Sequence, residues 1–258
     1  MISRSPLSPG HLAAAFRFLT ILPLPGRLGT TEEELAGSVG SFPLIGLLLG
    51  LICAAGAWVL WLVLPSLPAA VCLTLLLLAL SGGLHLDGLA DTADGFFSAR
   101  PDRTQILAIM RDSRIGAMGV IALIILLLLK TSALATLDRS TVVVTALLLP
   151  LAGRSAIVLM MGLLPYARPE GGLGGLFYTR RSRLAALGSL AFAGLVTVWL
   201  AGTCGLGVLV FTMGTICLFA RFCRKKIGGA TGDTLGAACE LAETFMALGF
   251  AAVAGGAG

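Results

Sequence analysis

Three aspartates, Asp87, Asp91 and Asp94, fall within the stretch Gly82-Gly-Leu-His-Leu-Asp-Gly-Leu-Ala-Asp-Thr-Ala-Asp-Gly-Phe-Phe-Ser-Ala-Arg100. On a helix their i, i+4, i+7 spacing sets them along one stripe. Carboxylates so aligned repel one another unless a cation lies among them, and an oxygen-only donor set suits Mg²⁺ or Mn²⁺. Because Mg²⁺ usually takes one or two carboxylates and fills its shell with substrate phosphate oxygens, the stripe points to a phosphate substrate. The apolar neighbours Leu86, Leu89, Ala90, Phe96 and Phe97 argue against a merely solvated helix end. His85, one of only two histidines, stands two residues before Asp87. It is a candidate base, an orienter of a carboxylate, or a hydrogen-bonding group within helix packing.

Two further constellations follow. Ile109-Met-Arg-Asp-Ser-Arg-Ile-Gly116 places Arg111 and Arg114 on adjacent turns with Asp112 between them. Guanidinium groups grip phosphate oxygens bidentately, so this pair is a candidate clamp for a diphosphate, although a cytoplasmic loop also carries arginines for orientation alone. Asp112 is either a metal ligand or the arginines' salt-bridge partner. The third constellation is Gly228-Gly-Ala-Thr-Gly-Asp-Thr-Leu-Gly236, with Glu240 and Glu243 beyond it. A glycine-rich turn opening a helix favours an anion, and Asp233 and Glu240 share a helical face. The turn lacks the lysine and hydroxyl ending of a P-loop. Arg154 and Lys130 lie within apolar runs; the first must find an acid, and the second either does the same or snorkels outward.

The elements that position these groups are membrane helices. Of 258 residues, 57% are hydrophobic and 12% charged, with a mean hydropathy of +0.98. A soluble domain carries about a quarter charged residues, so this composition cannot build a water-facing surface. The sequence therefore predicts an all-α, polytopic integral membrane bundle, folded as one catalytic domain over residues 1–258. Seven spans are expected: Phe42 to Leu64, Ala69 to Leu89, Gly116 to Leu137, Thr141 to Leu164, Leu184 to Thr203, Leu206 to Phe222 and Thr234 to Ala254. The segment from Ala13 to Pro25 reads as an amphipathic interfacial helix; Arg17 interrupts it and no small-residue cleavage site follows.

The net charge of +5 belongs to membrane orientation, so no nucleic-acid partner is expected. Arg4, Arg17 and Arg27 precede the first span, and Arg100, Arg103, Arg111 and Arg114 follow the second. Arg168, Arg180, Arg181 and Arg183 follow the fourth; Arg221, Arg224, Lys225 and Lys226 close the sixth, whereas the alternate loops hold only Arg139. That alternation predicts a cytoplasmic N-terminus and an exported C-terminus. The six cysteines show no CxxC spacing and sit mostly in apolar runs, which supports neither zinc nor disulfides.

Five segments, in this order, resemble the cobalamin synthase (adenosylcobinamide-GDP ribazoletransferase) family: Phe18-Leu-Thr-Ile-Leu-Pro-Leu-Pro25, Phe42-Pro-Leu-Ile-Gly46, Gly83 to Gly95, Met110-Arg-Asp-Ser-Arg-Ile-Gly116, and Gly229 to Gly236 followed by Glu240. The resemblance implies that α-ribazole or its 5′-phosphate attacks the cobinamide-side phosphate of adenosylcobinamide-GDP. GMP leaves, and adenosylcobalamin or its 5′-phosphate forms. Mg²⁺ dependence and a place in the cytoplasmic membrane of a bacterium or archaeon, with the active site facing the cytoplasm, come with it. The residue chemistry reaches only to metal-assisted phosphoryl transfer; the corrinoid is implied by the resemblance alone.

On that expectation Asp87, Asp91 and Asp94 hold Mg²⁺, while Arg111 and Arg114 clamp non-bridging oxygens. Asp233, assisted by Glu240, ligates a second metal or takes the proton of the attacking hydroxyl, with His85 as the alternative base. Two other readings are set beside it. Asp91-Thr-Ala-Asp-Gly-Phe-Phe-Ser-Ala-Arg100 looks like the front of the CDP-alcohol phosphotransferase motif, but three residues separate Gly95 from Ala99 and the later aspartate pair is missing. A secondary transporter would place its charges near the bilayer midplane in two related halves, and no halves are apparent here.

Overall fold

The computed structural model describes residues 8–99, 102–168, 173–178 and 182–255; Arg4, Arg100, Arg180 and Arg181 lie outside the described residues. The helices are α1 (Pro9–Leu19), α2 (Glu32–Gly37), α3 (Phe42–Val63), α4 (Ser66–Ser81), α5 (Leu84–Phe96), α6 (Arg103–Ile109), α7 (Ala117–Ala135), α8 (Arg139–Leu163), α9 (Ser182–Ile227) and α10 (Gly232–Gly255). Short 3-10 turns cover Ser38–Ser41 and Leu173–Phe177. Apart from one parallel bridge between Tyr166 and Ala230, every regular element among the described residues is helical. The chain is an all-α membrane bundle. Five helices are long and apolar enough to cross a bilayer, or six if α4 and α5 form one bent span.

Helix α8 is the axis of the bundle, buried along nearly its whole second half from Leu148 to Met161. Helix α3 packs on it through Gly46 and Gly50: a methyl group on Gly46 would stand 2.6 Å from the Pro150 carbonyl oxygen, and one on Gly50 would strike the Leu147 carbonyl. Small residues four apart let two membrane helices approach backbone to backbone. The outer faces are apolar and open, as at Leu128, Leu195 and Trp199, where lipid is the natural solvent.

Three features differ from the expected spans. The run from Ala69 to Leu89 is not one helix, because Gly82 and Gly83 take φ of 62° and 76° and turn the chain through 92° between α4 and α5. Left-handed backbone in two successive residues suits glycine, which has no Cβ to clash. The acid-bearing segment is thus a 13-residue helix of its own, set at 92° to α4 instead of continuing it straight. Next, the expected fifth and sixth spans lie in α9, whose 46 residues are broken at Gly202 (φ 62°, ψ −156°). Straight, it would measure about 69 Å, over twice the ~30 Å bilayer core. Leu206 instead comes within 4.0 Å of where a side chain on Gly194 would stand, so the two arms fold back on each other. Lastly, α1 ends at Leu19 and buries Ala14, Ala15 and Leu19, while Phe18 stacks on Phe42 and meets Phe177 at a tilt.

The cation-bearing connections converge at one end of the bundle. Arg103 donates to the Ala167 carbonyl (2.8 Å) and approaches Gly228, and Lys226 donates to the Phe96 carbonyl (2.7 Å). Phe42, at the start of α3, meets Phe177 there. Near the other end of α3, Trp61 donates to Leu137 and Arg139 lies over Trp58.

Candidate active site

The three aspartates of α5 share a stripe but not a role. Asp87 is exposed and faces a cleft, whereas Asp91 and Asp94 are half-buried. Asp94 accepts from the backbone N–H groups of Gly116 (2.7 Å) and Gly119 (2.8 Å), one on each carboxylate oxygen. It therefore caps α7 from another helix, satisfying two donors that a helix start leaves open. Asp91 feels the like charges of Asp87, Asp233 and Asp94, opposed by Arg168. Among the described residues no three His, Cys, Asp or Glu side chains converge into a ready-made metal cage.

The far wall comes from α10. Thr231 and Thr234 cap each other's backbone across its first turn, with Thr231 N–H donating to Thr234 Oγ1 at 2.8 Å and Thr234 N–H to Thr231 Oγ1 at 3.3 Å. That fixes Asp233, whose Oδ2 accepts from Arg168 Nη2 (2.7 Å) and from Thr231 Oγ1 (3.2 Å). Helices α5 and α10 touch through glycines: a methyl on Gly88 would stand 2.7 Å from the Asp233 carbonyl oxygen, and one on Gly236 would stand 3.2 Å from His85 Cα. The contact makes a cleft of about 270 Å³ whose polar walls are Asp87, His85, Asp233 and Arg168, with Phe18, Phe177 and Tyr166 on its apolar side. His85 is 3% exposed, and its Nε2 has no partner among the described residues.

Glu240 does not join Asp233 in that cleft. Two turns deeper in α10 it accepts from Lys130 Nζ at 2.6 Å; the same ammonium donates to Glu243 at 2.9 Å, and Glu243 accepts from Arg154 at 2.7 Å. All four side chains are at least nine-tenths buried. Two cations and two anions balance, which is how ionisable groups persist inside a bundle. Arg154 thus finds the acid it requires, and Lys130 turns inward instead of snorkelling. These ion pairs clasp α7, α8 and α10 together.

Arg111 and Arg114 stand on the exposed loop that runs into the Asp94 cap. The Arg114 side chain is 87% exposed and donates to Asp112 from Nη2 (2.6 Å) and Nε (3.0 Å). Those hydrogen bonds hold the Asp112 carboxyl at about 2, so the pair is ionised at any physiological pH. Asp112 is here the salt-bridge partner.

Comparison with known proteins matches residues 11–251 to the family model described as cobalamin-5-phosphate synthase. The chain belongs to the cobalamin-5-phosphate synthase family. Among its relatives, the adenosylcobinamide-GDP ribazoletransferase of Desulforamulus reducens is 42% identical over 236 residues, covering 91% of this chain and 93% of the relative. That of Syntrophobacter fumaroxidans is 42% identical, covering 92% and 96%, and that of Citrobacter koseri 43%, covering 91% and 96%. No solved structure matches. By sequence alone Arg168 is marked only as a loop cation. Its pairing with Asp233 spans 65 residues, and nothing in local spacing announces it.

Proposed function

We propose that the chain is an adenosylcobinamide-GDP ribazoletransferase, joining that nucleotide-activated corrinoid to α-ribazole or its 5′-phosphate. A ribose hydroxyl of the acceptor attacks the cobinamide-side phosphorus, the new O–P bond forms as the bond to GMP breaks, and the hydroxyl proton passes to a base of the cleft. One observation carries the reading: the Gly88–Asp233 contact puts acids from two distant stretches, Asp87 and Asp233, around one cleft with Arg168 and His85. The likeness to named ribazoletransferases supplies the substrates.

The donor set fits Mg²⁺ in a particular way. With Asp94 committed to the α7 cap and no three-acid cage among the described residues, Asp87 and Asp91 are the carboxylates left to hold an ion. The remaining ligand positions then fall to substrate phosphate oxygens and water, the usual habit of Mg²⁺. When bound, the metal would offset charge on the diphosphate and the leaving GMP. Arg111 and Arg114, on the exposed loop that Asp94 caps, serve as phosphate-binding groups outside the cleft. Asp233 and His85 both line the cleft and are the two candidates to receive the hydroxyl proton.

The convergence of the Arg103, Lys226 and Ala167 connections at the cleft end supports an active site on the cytoplasmic face of the membrane, where positive loops are retained. Purified protein in detergent or nanodiscs should release GMP from adenosylcobinamide-GDP only when α-ribazole or its 5′-phosphate is added. Intact protein that yields no GMP, or that moves the substrates across liposomes unchanged, overturns the reading.

A further inference from the structure

Arg168 stands in the cleft wall beside Asp87 and Asp233, its side chain 14% exposed. Its Nη2 donates to Asp233 Oδ2 at 2.7 Å, while its Nε–H is buried with no partner among the described residues. A buried donor left unmade is costly, and a guanidinium fork with an uncommitted N–H matches an anion offering several oxygens. A second orphan, Nε2 of the buried His85, lies in the same wall. The first turn of α10 opens there too, through Gly232, and a helix start favours negative charge. Arg114, by contrast, lies on the surface and is held by Asp112.

We infer that Arg168 is the phosphate-binding side chain inside the cleft, and that the diphosphate of the nucleotide substrate displaces Asp233 from it. The identity of the anion rests on the transfer reaction proposed above. In the Arg168–Asp233 pair each member compensates the charge of the other. An incoming diphosphate substitutes phosphate oxygens for the carboxylate on the guanidinium, and Asp233 is freed to meet the acceptor hydroxyl. Donor binding thereby unmasks Asp233, so the nucleotide donor binds before the acceptor.

The test measures the affinity of full-length protein in nanodiscs for GDP as probe. Arg168→Met should weaken GDP binding at least tenfold, with Arg168→Lys intermediate because an ammonium keeps the charge but loses the fork. Asp233→Asn should tighten GDP binding, since the competing carboxylate is gone. The double variant Arg168→Met/Asp233→Asn should bind as weakly as Arg168→Met, which separates loss of the anion ligand from any damage by an unpaired Asp233. Wild-type protein that does not bind GDP, Arg168→Met that binds it within twofold of wild type, or Asp233→Asn that weakens binding as Arg168→Met does, overturns the inference. GMP release from the complete substrates is scored separately. Turnover with GDP affinity indifferent to Arg168 rejects this inference and leaves the transfer reaction standing; Arg168-dependent GDP binding without turnover does the reverse.

Discussion

Gly88 of α5 lies against the backbone of Asp233 in α10, 2.7 Å separating the place of a first side-chain carbon from the Asp233 carbonyl oxygen. The backbone carbonyl cannot yield as the tip of a flexible side chain could. Gly88→Ala should therefore push the two acid-bearing helices apart, at about 1–3 kcal/mol for an overpacked contact. The expected result is a lowered melting temperature and at least about tenfold less GMP release, tenfold corresponding to 1.4 kcal/mol. Wild-type turnover in Gly88→Ala would show that the approach of α5 to α10 is not required.

Asp91→Ala should abolish turnover while the protein still inserts and purifies as wild type does. Asp91 feels three like charges, and no hydrogen bond to it from the described residues makes it a structural acid. A loss of about 10²-fold or more is expected from removing a group that stabilises transition-state charge. Retained activity would remove Asp91 from the metal assignment.

Chelation supplies the matching test of the ion. EDTA should stop GMP release, and Mg²⁺ in excess should restore it without any change in the helical circular dichroism, because the fold is closed by its own ion pairs. Full turnover after exhaustive chelation would exclude metal assistance.

Asp94→Ala should behave differently from Asp91→Ala. It removes the two acceptors that cap α7, a loss worth about 0.5–2 kcal/mol for a single cap. Thermal stability should fall, and Asp94→Asn, which retains one carbonyl acceptor, should recover part of it. Were Asp94 chiefly a metal ligand, Asn would restore stability yet leave turnover as low as Ala does.

Lys130→Met strands Glu240 in a buried site and leaves Glu243 to Arg154 alone, and breaking a buried pair from one side costs about 3–5 kcal/mol. The variant should unfold at markedly lower temperature. Adding Glu240→Gln should recover much of the loss, as the stranded charge disappears while Glu243 keeps Arg154. A Glu240→Gln single variant should keep substantial turnover; complete inactivity in a well-folded protein would return Glu240 to the chemistry.

The amino-acid sequence alone determined that this chain lives in a bilayer as an all-α bundle, since hydropathy is set by residue type and needs no partner. It also determined the acid stripe Asp87, Asp91 and Asp94, because residues three, four or seven apart on one helix share a face whatever surrounds them. Periodicity could not distinguish the fates of those acids. Asp94 is committed by the N–H groups of Gly116 and Gly119, more than twenty residues on, and Glu240 by Lys130, more than a hundred residues back. The break at Gly82-Gly83 hid inside an apolar run, because hydropathy counts side chains while the turn is a matter of backbone angle. Only the tertiary structure decided that Arg168 stands on Asp233 and that His85 is buried with no partner for Nε2 among the described residues. Those relationships arise where separate helices meet, and contacts across a bundle depend on packing that no local spacing records.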